Sequence, residues 1–345
     1  MPRKTQQQIL LDSVEQTRRQ IMATMGPVAE GARFPWSREK EKEFLSIPME
    51  TLIDSDYFMG VKDTIYPKVR EDLIDIWHRR KTEGVYRVGI ASALRTGKTS
   101  IMAYLFWLLV YELVCLYEPQ RHFGLDGNTP IALICLNRDE DLARKVTFDK
   151  VLGVFQGKKL RRVDDSGPIW EGWVRDESAE RRGFFHDYFP PSTVLSTDPK
   201  ARFPTALRFP KRIHIFPGTA HNATSLGWAV HSAIIDEVNF LQITENSKQS
   251  RNRESTFDAA EEISQTITGR IGLSFRKDGK PSGMECYISS PSYSGDFLSR
   301  LEEEAKKEPH IYVIRRSFWK ARPDTIESKD TFCLDLENNE IIMPE

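Results

Sequence analysis

The sequence predicts an α/β fold with a mostly parallel sheet flanked by helices. Three observations carry that expectation. From Tyr66 onward, apolar helix faces alternate with short apolar strands. A glycine-lysine turn sits between a strand and a long apolar helix. Further on, an apolar run ends in the acidic pair Asp236-Glu237. Alternation of this kind places crossover helices on the faces of parallel strands.

The first 50 residues read as a helical arm. They hold a polar, Gln- and Arg-rich helix candidate from Thr5 to Met25, a break at Gly26-Pro27 and the charge run SREKEKE, all in keeping with a solvated attachment. From Tyr66, Val69, Leu73, Ile76 and Trp77 recur at helical spacing, with Pro67 suited to the first turn. A strand follows at Val85 to Ala91. The apolar stretch Ile101 to Tyr117 carries Glu112 and falls short of the roughly 20 residues that cross a bilayer, so it reads as a buried core helix and not a membrane span. The next strand is Pro130 to Leu136. Asn137 and Glu140 have capping-box spacing, and Phe148, Val151, Leu152 and Phe155 continue a helix behind them. From Gly157 to Pro210 no period is sustained, and the segment reads as irregular surface. Strands resume at Arg212 to Phe216, Ala233 to Ile235 and Met284 to Ser290.

Composition narrows the partners. With 49 Lys+Arg against 50 Asp+Glu in 345 residues, no strong overall field draws the chain to nucleic acid, and any such contact must come from a local patch. Candidates are Lys158, Lys159, Arg161 and Arg162, and the group Arg202, Arg208, Lys211 and Arg212 interleaved with Phe203 and Phe209. Cys115, Cys135, Cys286 and Cys333 form no CxxC pair, which argues against a disulfide framework or zinc site. The opening MPRKTQQQILLDS lacks a signal-peptide core, so a reducing, cytosolic setting is expected.

Ser92-Ala93-Leu94-Arg95-Thr96-Gly97-Lys98-Thr99 fits the phosphate-binding pattern GxxxxGK[ST] except that Ser92 replaces the first glycine. Such a loop, Ser92 to Ser100 including the helix start, wraps phosphates with backbone N–H groups. Lys98 would hold the β/γ-phosphates and Thr99 would hold Mg²⁺. Arg95 is either a guanidinium near the γ-phosphate or a solvent-facing loop arginine. Asp236 at a strand end suits the metal, and Glu237 beside it suits polarisation of the attacking water. The insertion of a strand between the two motif strands, with that glutamate, suggests the ATPase branch of P-loop proteins, the ASCE/RecA-like type, and hence ATP. Ser289 and Ser290 end a later strand, where hydroxyls can sense loss of the γ-phosphate.

Together SALRTGKT, AIIDEVNF and YISSPS, in that order, resemble the three ATPase motifs of the large terminase subunit of tailed bacteriophages. The lead-in, Asp56 to Gly60 and Ile65 to Pro67, resembles the segment ahead of the phosphate loop in that family. The resemblance implies an ATP-driven motor that packages double-stranded DNA into procapsids in the host cytoplasm, as a homo-oligomeric ring docked on a portal protein and guided by a small terminase subunit. It also implies catalytic roles for Glu237 and Arg95, metal binding by Thr99 and Asp236, and coupling by Ser289 and Ser290. Gly218 to His231 lacks the arginine that some members supply to a neighbouring subunit, leaving Arg251, Arg253 or Arg270 as guesses. The expected organisation is an arm over 1–50, an ATPase domain over 51–315, and a stub over 316–345 leading toward a nuclease domain absent here. Rival readings are a two-lobed helicase, a nucleotide-dependent switch and a structural capsid component.

Overall fold

The computed structural model describes residues 36–93, 96–156, 183–195, 204–219, 228–241, 243–244, 257–277, 279–293, 295–321, 333–335 and 340–342. Its main compact unit begins at Arg38. Strands β1 (Arg87–Ser92), β2 (Ile131–Asn137), β3 (Ser192–Leu195), β4 (Pro204–Phe209), β5 (Ile213–Thr219), β6 (Ala229–Asp236), β7 (Glu285–Ser289) and β8 (Ile311–Arg316) form one sheet. The spatial order is β8-β1-β7-β6-β2-β5-β4-β3. The first six strands of that order pair in parallel, while β4 and β3 add an antiparallel edge. The architecture is therefore α/β, with a mostly parallel sheet flanked by helices.

Both faces are covered, as near-continuous apolar parallel strands require. Every residue of β2 is buried. Ala132, Ile134 and Leu136 of β2 share one apolar layer with Ala233 and Ile235 of β6. That layer also takes in Ile263, Ile267 and Ile271 from a helix at Ala259–Ser274, and Leu298 and Leu301 from one at Phe297–Ala305. In chain order the main helices are α1 (Arg38–Leu45), α2 (Met49–Asp54), α3 (Pro67–Thr82), α4 (Lys98–Cys115), α5 (Asp149–Gln156), α6 (Ala259–Ser274) and α7 (Phe297–Ala305).

Helix α4 is long and apolar enough to cross a membrane by length and composition, yet it is packed against α1, α3, α5 and the strands β5 and β7. Glu112, its one acidic residue, pairs with Arg80 at 2.8 Å and with Lys81, both from α3. Those cations hold the Glu112 carboxyl below its ordinary range against the burial that would raise it. Gly283 precedes β7 where a Cβ would fall 1.6 Å from the His231 carbonyl oxygen, so only glycine fits there.

Several expectations need adjusting. The charge run at 37–43 lies largely in α1, which does not belong to a free arm. Phe44 is buried beside Phe184 and Tyr188, and its carbonyl accepts the Tyr111 hydroxyl at 2.6 Å. Within the segment expected to be irregular, residues 183–195 and 204–210 form a short helix (Phe184–Tyr188), β3 and β4. Phe184, Phe185 and Phe189 are the buried anchors that a scan for periodicity overlooks among charged neighbours. The helix after β2 is capped by Asp139, whose carboxylate accepts the Leu142 N–H at 2.8 Å, while Asn137 still belongs to the strand. It continues through a π-helical turn, Ala143–Phe148, before α5. The strand that stands between β1 and β6 in space is β7; β2 lies on the far side of β6. Sequence order alone does not reveal that crossover.

Candidate functional site

Register brings the three motifs to one edge of the sheet. Ala91 pairs with Ser289, and Ile288 pairs with Asp236, so the C-terminal ends of β1, β7 and β6 finish side by side. In open parallel sheets this is the edge where ligands bind.

Ser92 is fully buried at the end of β1. Its side chain is a strut that a glycine could not supply: the hydroxyl lies 2.5 Å from the Thr96 hydroxyl and donates to the Arg316 carbonyl at 3.2 Å. The Ala93 N–H also reaches that carbonyl, at 3.4 Å. Leu94 and Arg95 lie outside the described residues. Thr96 is buried, with its hydroxyl donating to the Ala93 carbonyl at 2.8 Å. Gly97 adopts φ +82°, a left-handed conformation that disfavours a side chain, and a Cβ there would meet Val69 Cγ2 at 2.8 Å. The first turn of α4 then carries Lys98, Thr99 and Ser100, the last two half-buried. Unpaired N–H groups and the positive end of the helix macrodipole face the loop, an arrangement that favours anions.

Lys98 is 7% exposed, and its ammonium donates to the Ser290 hydroxyl at 2.6 Å and to the Ser92 carbonyl at 3.3 Å. Burial lowers its pKa, while Glu237 and Asp236 nearby oppose that. Asp236, at 2% exposure, accepts from the Thr147 hydroxyl at 2.9 Å and from the Glu237 N–H at 3.0 Å. Burial raises its carboxyl above the ordinary range, with the Thr147 bond acting against it. Thr147 comes from the π-helical turn and was not anticipated; its signal is only a hydroxyl at helical spacing.

Glu237 has φ 55° and ψ 39°, a left-handed conformation for a non-glycine residue. Such strain costs about 1–3 kcal/mol and persists where surrounding bonds over-determine it. Here the Phe240 N–H donates to its carbonyl at 2.9 Å, and the Ser289 hydroxyl donates to its carboxylate at 3.4 Å. Asn239, two residues on, was also not anticipated. Its backbone N–H donates to the Ser289 hydroxyl at 3.3 Å. Its amide donates to the Ser290 carbonyl at 2.9 Å and to Asp296 at 2.8 Å, and accepts from the Leu298 N–H at 3.1 Å. Asn239 thus joins the acidic turn to the end of β7 and to the start of α7.

A divalent cation fits this donor set. Asp236 is a buried carboxylate that accepts from a hydroxyl and a backbone amide, with Lys98 and Glu237 nearby. Hard oxygen donors of this kind suit Mg²⁺.

No family model matches the chain, and no curated protein matches it. Its likeness is to solved structures. The ATPase domain of the Thermus phage P74-26 large terminase matches over 69% of this chain and 78% of that one, at 12% identity and TM-score 0.33. Phage large terminases are what this chain is similar to. The large terminase of bacteriophage HK97 matches over 80% of this chain and 43% of that one, at 16% identity and TM-score 0.41. The large terminase of a thermophilic bacteriophage, in complex with ADP, matches over 73% and 45%, at 11% identity and TM-score 0.39. The chain thus spans under half the length of these last two terminases.

The DNA-contact candidates fare unevenly. Lys158, Lys159, Arg161, Arg162, Arg202 and Phe203 lie outside the described residues. Arg208 and Arg212 are exposed, while Phe209 is buried. Lys211 is turned inward: its ammonium donates to the Val114 carbonyl at 2.6 Å and to the Leu116 carbonyl, capping the end of α4, and burial lowers it to about 8. Arg251 and Arg253 are outside the described residues, and Arg270 lies in the last turns of α6, which runs back toward the opposite edge of the sheet.

Proposed function

We propose that this chain is the ATP-hydrolysing motor domain of a viral large terminase that drives packaging of double-stranded DNA into procapsids. The observation that carries the hydrolytic reading is the meeting of Lys98, Asp236 and Glu237 at one sheet edge, with the Ser289 and Ser290 hydroxyls between them. The terminase reading is supported by the order and wording of the three motifs.

In this reading the loop amides, from Ala93 to Ser100, and Lys98 bind the β- and γ-phosphates of ATP. Asp236 and Thr99 would hold Mg²⁺, which would supply positive charge to the transferring phosphoryl group. Glu237 accepts a proton from the attacking water as its oxygen bonds to the γ-phosphorus and the bond to ADP breaks. Arg95 stabilises the charge that develops there. Ser289 and Ser290 report the change through Asn239. DNA is gripped by local basic faces repeated around a homo-oligomeric ring, with a portal protein and a small terminase subunit as partners in the host cytoplasm.

The deciding experiment measures phosphate release with and without duplex DNA. Turnover stimulated by DNA, and lost in Lys98→Ala together with nucleotide binding, is the expected result. Hydrolysis indifferent to any DNA would favour a nucleotide switch. No nucleotide binding at all would overturn the reading.

A further inference from the structure

Arg316 ends β8, beside β1, and lies outside all three motifs. Its backbone carbonyl accepts the Ser92 hydroxyl at 3.2 Å and the Ala93 N–H at 3.4 Å, on the strand side of the candidate phosphate loop. Its guanidinium donates to the Thr96 carbonyl at 3.3 Å, on the helix side. One residue therefore contacts Ser92 and Ala93 with its carbonyl and Thr96 with its guanidinium. The Ser92 and Thr96 hydroxyls, 2.5 Å apart, close the same short span.

The guanidinium is buried, and a buried cation persists only when paired. Its partner is Asp72 of α3, also buried, which forms an ion pair with it. Lys68 stands 3.5 Å from the other carboxylate oxygen of Asp72. Helix α3 also supplies Val69, the side chain against Gly97. A packed helix thus places a carboxylate beside the guanidinium, and the guanidinium Nη1 donates to a loop carbonyl.

We propose that Arg316, anchored by Asp72, is a positioning residue that sets the span of the phosphate loop and so aims its amides at the nucleotide. The proposal rests on the nucleotide-binding reading of this site. It goes beyond that reading because it assigns the loop's geometry to β8, a strand outside the three motifs. A change of loop shape on phosphate binding would be felt at Arg316, and hence by the chain that follows it.

The competing explanation is that the pair only stabilises the fold. Arg316→Met, Arg316→Lys and the double variant Asp72→Asn with Arg316→Met, each in the full chain, separate the two. Thermal melting monitors folding. Hydrogen exchange of a peptide spanning Ser92 to Lys98, in nucleotide-free protein, reads loop order directly, and titration with a fluorescent ATP analogue reads affinity. Arg316→Met leaves the buried Asp72 with only the half-exposed Lys68 as a counter-charge, so it should melt early; the double variant removes that carboxylate and recovers stability. The double variant should still exchange its loop amides faster and bind ATP about tenfold more weakly, as loss of a charge-assisted hydrogen bond implies. Arg316→Lys keeps the charge but not the fork, and should recover melting more than affinity. Wild-type exchange in the double variant would overturn the proposal, whatever its melting temperature. If the wild-type protein bound no ATP, the nucleotide reading would fail, and faster loop exchange in the double variant would still establish the positioning role.

Discussion

Lys98 and Ser290 meet at 2.6 Å, the ammonium at the start of α4 donating to the hydroxyl just past β7. The lysine proposed to bind phosphate is thus engaged by the serine proposed to report on it. A bound phosphate competes for the same donor, because an ammonium has only three. Ser290→Ala is expected to leave ATP affinity within about tenfold, the scale of one exchanged charge-assisted hydrogen bond. Nucleotide should then no longer change hydrogen exchange in the segment 290–296. An unaltered response in this variant would show that Ser290 is not the link.

Glu237→Gln should bind ATP as the wild type does and lower kcat by about 10²–10⁴-fold, the usual worth of a general base. The amide keeps the side-chain shape and its acceptor toward Ser289. Phosphate release at saturating ATP, alongside direct titration, checks both halves of this expectation. Normal turnover would remove Glu237 from the role of base.

Asn239→Ala should lower stability by about 1–3 kcal/mol, the cost of leaving buried polar groups without partners. The groups affected are the Leu298 N–H and the Ser290 carbonyl, with Asp296 losing one of its donors. Asn239→Asp should be worse, since it sets a carboxylate against Asp296. Urea denaturation of the two variants ranks them.

His231 gives the fold an acid-sensitive term. Its ring, buried among Phe123 and Phe275, is held neutral by burial, which lowers its pKa from 6.5 to about 3. Between those values the unfolded chain takes up a proton that the folded chain refuses. Stability is therefore lost as pH falls from 6.5 toward 3, by up to about 1.4 kcal/mol per pH unit from this group. Denaturation of wild type and His231→Phe at several pH values isolates the term. Parallel curves for the two proteins would contradict it.

Periodicity and punctuation made the first half of the sheet readable. Val69, Leu73, Ile76 and Trp77 marked α3, and β1 and β2 were placed within two residues at either end. The segment around Lys98 stood out because its glycine, lysine and hydroxyls fall within a few residues between a strand and an apolar helix. Helices α6 and α7 and strand β8 were not read. Their apolar residues are interspersed with acids and serines, and what makes them elements is contact with a sheet assembled from distant segments. Thr147, Asn239 and Arg316 were missed for the same reason. Thr147 and Arg316 lie outside the motifs and Asn239 inside one; each acts on a motif residue, and in two cases the partner lies 89 and 220 residues away.

By itself, then, the sequence determined the α/β class, the loop at Lys98, the acidic pair at Asp236 and Glu237, and the serines at 289 and 290. These depend on local chemistry: apolar alternation, a turn that needs glycine, and charged groups at strand ends. Only the tertiary structure decided that β7 lies between the motif strands, that Ser92 serves as a strut in place of glycine, and that Arg316 and Asp72 hold the loop. Those relationships arise from parallel crossovers and from the need to pair buried charge, and both join residues that the linear chain keeps far apart.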